Sequence, residues 1–407
     1  MKNILFVLLL LLPLGISHAQ VTNRKIKIFY DCQTVYCETT YLKQNLEAVE
    51  FVRDRNFADV HIIILSERNG SGGKVFHLHF MGQKDYKDIQ QKYDFSIGAD
   101  ITREQIRQKL LKYIKLGLIP YWYRNGLADK ISIRLNLEQE NKTTTDKWHH
   151  WVFKIGGNAW LYGDSNTGMQ NLSGYSSASK VDEKNKFAFG IQYNSRHRRY
   201  TYNERIIKSV SESFNINTYR IWGIDQHWSY GIFGRFRHSK YRNYAQSYNA
   251  AVGLEYSFFP YKESASRSLV LTSKIGGFYN HYFEKTVYNK TEETLWNAEV
   301  ELSGNLVKKW GSIDASIDYT TYLHDFRLNS VGFNLGTRLR IAKGLSFNTS
   351  AGYSIQHDQI NIAAGNLSLE ETLLMQKELQ SGYEYFMSVG LSYSFGSIYN
   401  SIVNPRF

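Results

Sequence analysis

Past residue 20 the sequence holds no apolar run approaching the ~18 residues that a membrane-crossing helix needs. That absence leaves the mature chain two options. It stays in water, or it crosses a membrane as a closed barrel, the other architecture that satisfies every backbone polar group in lipid. Proline is scarce, 4 in 407 residues. Cysteine is scarcer, with only Cys32 and Cys37, and a CxxxxC pair with no further cysteine is poor spacing for zinc. What is abundant points one way. Tyrosine and glycine each count 30 and phenylalanine 23. Scarce proline beside so much Tyr, Phe, Ser and Gly fits extended ladders better than a helical protein.

The first twenty residues read as a signal peptide. Lys2 is the charged start, Ile4 to Leu12 is apolar, and Ser17-His18-Ala19 is a small-x-small cleavage site. A membrane helix is the alternative, but the run is too short and the following segment is polar. No cysteine follows the cleavage site to carry a lipid. Outside the cytoplasm Cys32 and Cys37 are expected to form a disulfide, with two free buried thiols as the alternative. The formal charge is +12. A basic balance can signal nucleic acid, but here it is spread along candidate strands with no basic helix, so no nucleic-acid partner is expected. Solvated surface and a barrel lumen account for the charge, and contact with lipopolysaccharide headgroups is compatible with it.

The front third reads as a small α+β domain of order β-α-β-β-α. Lys25 to Tyr30 alternates as a strand, and Thr39 to Arg55 carries Leu42, Leu46, Val49 and Val52 at helical spacing. Val60 to Leu65 is a continuous apolar strand, expected to be central. Asn69 to Gly73 is a tight connection, and Lys74 to Met81 alternates as a half-buried strand. Thr102 and Gln105 form a capping box for a helix carrying Ile106, Leu110 and Ile114, which Gly117 can stop. Gly70 to Lys74 has a phosphate-loop flavour but lacks the full spacing and joins two strands, so a hairpin turn is the better reading. His77 and His79 share a strand face with His61 within range, yet a third ligand cannot be placed, and no metal is assigned. The element order resembles small periplasmic α/β modules beside outer-membrane machinery, such as the amino-terminal domain of TolB-type proteins. That resemblance carries no diagnostic motif.

The back two thirds alternate with period two. From Tyr383 to Phe395 the odd positions are Tyr, Tyr, Met, Val, Leu, Tyr and Phe, and the even ones are small or polar except Phe386. Similar segments recur from Trp148, about twelve in all and 12 to 16 residues long, with those near 168–182 and 264–281 the least clean. This predicts an antiparallel transmembrane β-barrel of about 12 strands, lipid outside and a polar lumen inside. A soluble sandwich or lipocalin-like barrel is the alternative, but its strands are usually nearer ~5–6 residues. The expected organisation is a signal peptide at 1–19 and a periplasmic domain at 20–127. A linker or short strand at 128–147, the barrel at 148–396 and a tail at 397–407 follow. Connections at 181–186, 223–228, 307–311 and 341–345 become short periplasmic turns. The long one at 358–381 falls outside, with a short helix over 367–379.

The terminal segment Ser388-Val389-Gly390-Leu391-Ser392-Tyr393-Ser394-Phe395 resembles the β-signal of outer-membrane proteins, with Ser388, Gly390, Tyr393 and Phe395 at its defined positions. The family's signal usually ends the chain, whereas Gly396 to Phe407 follows here. More broadly the chain resembles Gram-negative outer-membrane β-barrel proteins with an amino-terminal periplasmic domain. The resemblance implies outer-membrane lipid and lipopolysaccharide as surroundings, the barrel assembly machinery during biogenesis and room for a periplasmic protein partner. It implies no activity.

The expected lumen carries Arg196, Arg198, Arg235, Arg237, Arg338 and Arg340 with Glu255, Glu299, Glu301, Asp314 and Asp318. With the 318–331 hairpin centred near residue 326, Asp314 is expected opposite Arg338 as a cross-strand ion pair. A structural ion-pair network is the favoured reading over a solute-selecting constriction, and a network with a gap is also a polar pore. The expected function is a channel for small polar solutes. The alternative is a closed barrel whose periplasmic domain docks an envelope partner. An outer-membrane lipid hydrolase is third. Outer-membrane phospholipases carry a Ser/His pair on the outer wall. Here His197, His238, His281, His324 and His357 are expected near strand ends facing outward, but no segment supplies a nucleophile motif with its base and orienting partner. No catalytic residue and no cofactor is assigned.

Overall fold

The computed structural model describes residues 24–34, 36–70, 72–133, 146–182, 184–202, 205–365, 377–397, 399, 404 and 406. The expected signal peptide and nearly all of the expected 367–379 helix lie outside them. The front domain comprises β1 (Ile26–Cys32), α1 (Thr39–Asn45), β2 (Val49–Phe51), β3 (Val60–Arg68), β4 (Lys74–Gly82), β5 (Gln90–Ile97) and α2 (Arg103–Arg124). The sheet order is β2-β1-β3-β4-β5, with β3 central. β1 is parallel to β2 and β3, and β3-β4-β5 is an antiparallel meander.

The expected β-α-β-β-α order is therefore corrected to β-α-β-β-β-β-α. The helix expected over 39–55 stops at Asn45. Ala48 takes a left-handed backbone at φ 56°, and Val49 to Phe51 pair with β1. Leu42, Leu46, Val49 and Val52 are all buried, so their spacing marks burial correctly but not the backbone that delivers it. β5 is poorly marked because Gln90, Gln91 and Lys92 obscure the alternation that buries Phe95 and Ile97. Thr102 and Gln105 cap α2 reciprocally, and Ile106, Leu110, Ile114, Leu118 and Tyr121 make its buried stripe. Gly117 does not end the helix. It lies so close under the Phe80 ring that a Cβ would collide, and the helix runs through Pro120 to Arg124. The stripe and Ile28, Ile62, Ile64, Phe76, Leu78 and Phe80 form one apolar core. Phe29, Asp31 and His61 alternate to the opposite face of the sheet.

The remaining strands are β6 (Trp151–Gly163), β7 (Thr167–Val181), β8 (Asn185–Tyr202), β9 (Arg205–Gly223), β10 (Trp228–Ser239) and β11 (Tyr244–Ser257). They continue with β12 (Arg267–Tyr282), β13 (Glu292–Lys308), β14 (Gly311–Tyr322), β15 (Asp325–Ala342), β16 (Leu345–Gln356) and β17 (Tyr383–Tyr393). These form a 12-stranded antiparallel sheet in which each strand pairs with its sequence neighbours. Among the described residues no pairing joins β6 to β17, so the sheet is not closed. Its faces differ sharply. Tyr383, Tyr385, Met387, Val389, Leu391 and Tyr393 share one face of β17 and are all exposed, as are Ile155, Ile232, Val252, Val300, Ile317 and Phe333 on their strands. On the other face Ser209, Ser229, Ser239, Ser247, Ser257 and Asn280 are buried. Both clusters of buried apolar side chains found among the described residues lie in the front domain.

The front domain sits on the end of the large sheet that carries the connections after β7, β11, β13 and β15. Gly70 packs against Val181, and Lys154 Nζ donates to the Gly72 carbonyl at 3.4 Å. Ser264 Oγ donates to Glu67 at 3.3 Å, Arg55 Nη1 to the Lys309 carbonyl at 2.8 Å, and Lys343 lies over the Phe57 ring. The tail after β17 joins the same contact. Tyr399 bridges Val52, and Arg53 donates to the carbonyls of Phe395 and Ser397.

Candidate functional site

Register places the predicted lumen residues on one face of the large sheet. Across the rungs Arg196 faces Asn171 and Ser211, Arg198 faces Ser209, Arg237 faces Asn215 and Ser247, and Arg235 faces Asn217 and Asn249. Glu255 faces Ser229 and Thr272, Glu299 faces Lys274 and Thr320, and Glu301 faces Thr272 and Asp318. Arg338 faces Ser312 and Asn348, and Arg340 faces Ser346. The expected Asp314–Arg338 rung is corrected. Asp314 faces Gly336, because a register shift at Thr321/Tyr322 follows the tight turn at 323–324.

These charges are sorted by height, and amides or hydroxyls hold Arg196, Arg235 and Glu255. Arg196, Arg198, Arg235 and Arg237 stand toward the end far from the front domain. Glu299, Glu301 and Asp318 lie near mid-strand, while Glu255, Asp314, Arg338 and Arg340 lie toward the domain end. Arg196 and Arg235 each donate from Nε to an asparagine, Asn171 and Asn217, at 3.1 Å. Glu255 accepts from the Tyr261 hydroxyl at 2.9 Å and from Ser229 at 3.3 Å. Lys274 and Glu299 form the cross-strand ion pair described on this face, at 2.8 Å.

At the far end the polar face is divided. On the β11–β15 side Tyr244, Tyr282 and Tyr322 gather, with the Tyr244 and Tyr282 rings 5.7 Å apart. Residues 358–363 fold over this side. Ser330 Oγ donates to Asp358 at 2.9 Å, Asn243 Nδ2 donates to the Asn361 carbonyl at 2.9 Å, and Ile360 and Ile362 are buried. On the β6–β10 side a cavity of about 640 Å³ remains, and Arg196, Arg198, Arg237 and Arg242 line it.

At the domain end Arg340 leaves the sheet and makes a two-pronged contact with Asp31, 2.5 Å at each oxygen, while its guanidinium stacks over Phe29. Asp31 also accepts from His61 Nε2 at 3.1 Å, and both Asp31 and His61 are buried. Burial alone would raise the Asp31 carboxyl. The His61 and Arg340 hydrogen bonds outweigh it and hold the group below its usual value. Burial also pushes His61 down, only partly opposed by Asp31. Arg340 is thus a clamp on the front domain rather than a member of a lumen network. Its partner lies 309 positions away in sequence, and no local pattern could have announced it.

Cys32 and Cys37 form the expected disulfide, with Cα atoms 5.6 Å apart. Of the β-signal residues, Ser388, Gly390 and Tyr393 lie in β17, where Ser388 faces Ser350 and Gly390 faces Asn348, and Phe395 follows the strand. His77 is held between Asp94 at 2.9 Å and Glu67 at 3.2 Å. No metal-ligating cluster occurs among the described residues. On the apolar face Ser195 Oγ and His197 Nε2 are 2.9 Å apart. This pair falls two residues apart on one strand, an arrangement too common to be conspicuous in sequence. Ser195 is buried, and no partner orienting the other His197 nitrogen is described.

No protein-family model matches the chain, and no curated protein matches it. Among solved structures it is similar to the NanC porin at 9% identity, covering 60% of this chain and 99% of that one, with a TM-score of 0.30. The β domain of the Bordetella autotransporter BrkA is 13% identical over 60% of this chain and 98% of its own, TM-score 0.26. BamA from Haemophilus ducreyi lacking POTRA domains 1–3 is 11% identical over 90% and 84%, TM-score 0.25. At these values the likeness assigns nothing.

Proposed function

We propose that the chain is an outer-membrane β-barrel protein that passes small polar solutes along its polar face, with its front domain in the periplasm. One observation carries the reading: the large sheet is inside-out for water. Its aliphatic and aromatic side chains cover an exposed face with no apolar core beneath them among the described residues, while serines and asparagines fill the other. Removing that face from water is favourable only against hydrocarbon or a protein partner of the same extent. Aromatic pairs mark two levels. Trp222 and Tyr230 stack at 5.1 Å toward the domain end, and Tyr353 and Tyr383 at 6.3 Å toward the far end. Tyr383 and Tyr393 bracket β17. Ten residues at ~3.4 Å each, tilted by ~40°, rise about 26 Å, close to the height of a barrel's apolar band. An even strand number puts both ends of the sheet on the domain side, which fits periplasmic turns there and assembly through the β-signal.

A second reading is a closed docking barrel, in which the domain seals the mouth and binds an envelope partner. It is favoured by the spread of domain contacts, which reach β6, β7, three turns and the tail. Planar-bilayer recording of the full chain and of Arg340→Ala separates the two. The channel reading expects steady current that increases several-fold when the clamp is removed. Silence from both proteins, once folded and inserted, leaves the docking reading. A mature chain that stays monodisperse without detergent would remove the barrel itself.

A further inference from the structure

We infer that the far-end cavity is a binding site for a small polyhydroxylated anion, a sugar bearing a carboxylate or phosphate. The inference rests on the channel reading only for the route by which such a solute arrives. Among the described residues the lining of this cavity holds four arginines and neither Asp nor Glu. At 640 Å³ it falls within the ~300–1,000 Å³ typical of small-molecule sites. The arginines come from three places. Arg196 and Arg198 project from β8, Arg237 from β10, and Arg242 from the turn after β10. β9 pairs with both β8 and β10 and holds their arginines in register.

Cations gathered in one concavity repel, and fixing them costs stability unless something occupies the space between. The close partners of Arg196 and Arg237 are neutral, with the Glu378 carboxylate attracting Arg237 from farther off. Asn171 accepts from Arg196 Nε, and the Tyr244 ring lies 5.7 Å from the Arg237 guanidinium. An amide accepting at Nε leaves the guanidinium's terminal N–H groups for a carboxylate or phosphate, the partners its planar fork fits. Asn158, Asn194, Asn215 and Ser211 complete the wall and supply the mixed donors and acceptors that hydroxyls require. The approach is basic as well. Lys208, Lys240 and Arg242 line the adjoining crevice with Glu284 and Glu378, where Glu378 is held by Asn361 and Glu284 by Lys377. The tyrosines and residues 358–363 occupy the β11–β15 side of this end, and among the described residues the arginine-lined side holds the cavity.

Calorimetric titration of the full chain in detergent tests the site, with glucuronate and glucose 6-phosphate as probes and glucose as the neutral control. The expected result is saturable binding of both anions and at least tenfold weaker binding of glucose. Arg237→Gln/Arg242→Gln should weaken the anions at least tenfold. Arg327→Gln, which removes one positive charge from an exposed pair with Asp325, should leave binding unchanged. Heat-modifiable mobility in electrophoresis checks that each variant folds, and Arg196→Lys, which keeps the charge but loses the fork, gives an intermediate loss without emptying the cavity. Absence of anion binding, glucose binding as tightly, or indifference to the double substitution would each overturn the site. Inorganic phosphate binding as tightly as the sugar phosphate would overturn its sugar specificity. Binding is read without current, so a barrel that binds glucuronate but is silent in bilayers keeps this site and loses the channel.

Discussion

The two regions of this molecule solve opposite solvent problems with the same period-two strand. In the front domain Phe76, Leu78 and Phe80 turn inward under a helix, and His77 and His79 turn away. In the large sheet Val331, Phe333 and Leu335 turn toward the surroundings, and Gly332, Asn334 and Gly336 turn toward the other face. Alternation says which residues travel together. It does not say which set is buried. The helix decides in the first case, because a sheet face covered by an amphipathic helix must be the apolar one. In the second no layer covers the apolar set among the described residues.

The comparison breaks most visibly if equal truncations cost the same in both regions. Phe76→Ala should destabilise the front domain by about 3–5 kcal/mol, since it opens a cavity in a packed core. On the proposed membrane reading Phe333→Ala should cost about 1.5–3 kcal/mol, the transfer term alone, because fluid hydrocarbon fills the space and leaves no void. Proteolytic susceptibility of the domain and urea titration of the barrel in vesicles read the two values. A somewhat smaller effect sharpens the facing of the sheet. Val389→Arg should impair folding into vesicles by about 2–4 kcal/mol at mid-membrane, and Ser388→Arg far less. Equal losses would mean that the two faces of β17 meet the same medium.

The smallest expected effect concerns the seam between the regions. Asp31 and His61 both have depressed pKa values in the docked arrangement. A separated domain would therefore take up protons more readily, and docking should weaken with acid. His61 contributes first, as pH falls below its ordinary ~6.5, and Asp31 only at much lower pH. Limited proteolysis of the front domain in detergent should accelerate several-fold between about pH 7.5 and 5, and Arg340→Ala should flatten that dependence. An unchanged rate across this range would detach the clamp from docking.

Much of this was legible in the sequence, and the limits have physical causes. Twelve strands and their faces follow from alternation sustained over 11–19 residues. The disulfide follows from two thiols five positions apart. Short or locally ambiguous elements escaped. β2 is three residues long, and its valines mimic a helical stripe. A β-bulge beside a tight turn leaves no reliable mark, so the Asp314 rung fell two residues off. The arginines were visible singly, but their gathering with Arg242 and the loss of Arg340 to Asp31 depend on how distant segments meet. A list of charges along strands cannot distinguish a network from a cavity and a clamp.

The strand end and tail that reach Arg53 and Val52 include Phe395, Ser397 and Tyr399. The front domain thus completes its seat only with residues that stand more than 340 positions later in the sequence. Until β17 and the residues after it are in place, that seat lacks one wall. Occupancy of the finished seat is therefore a physical record that β17 has been reached.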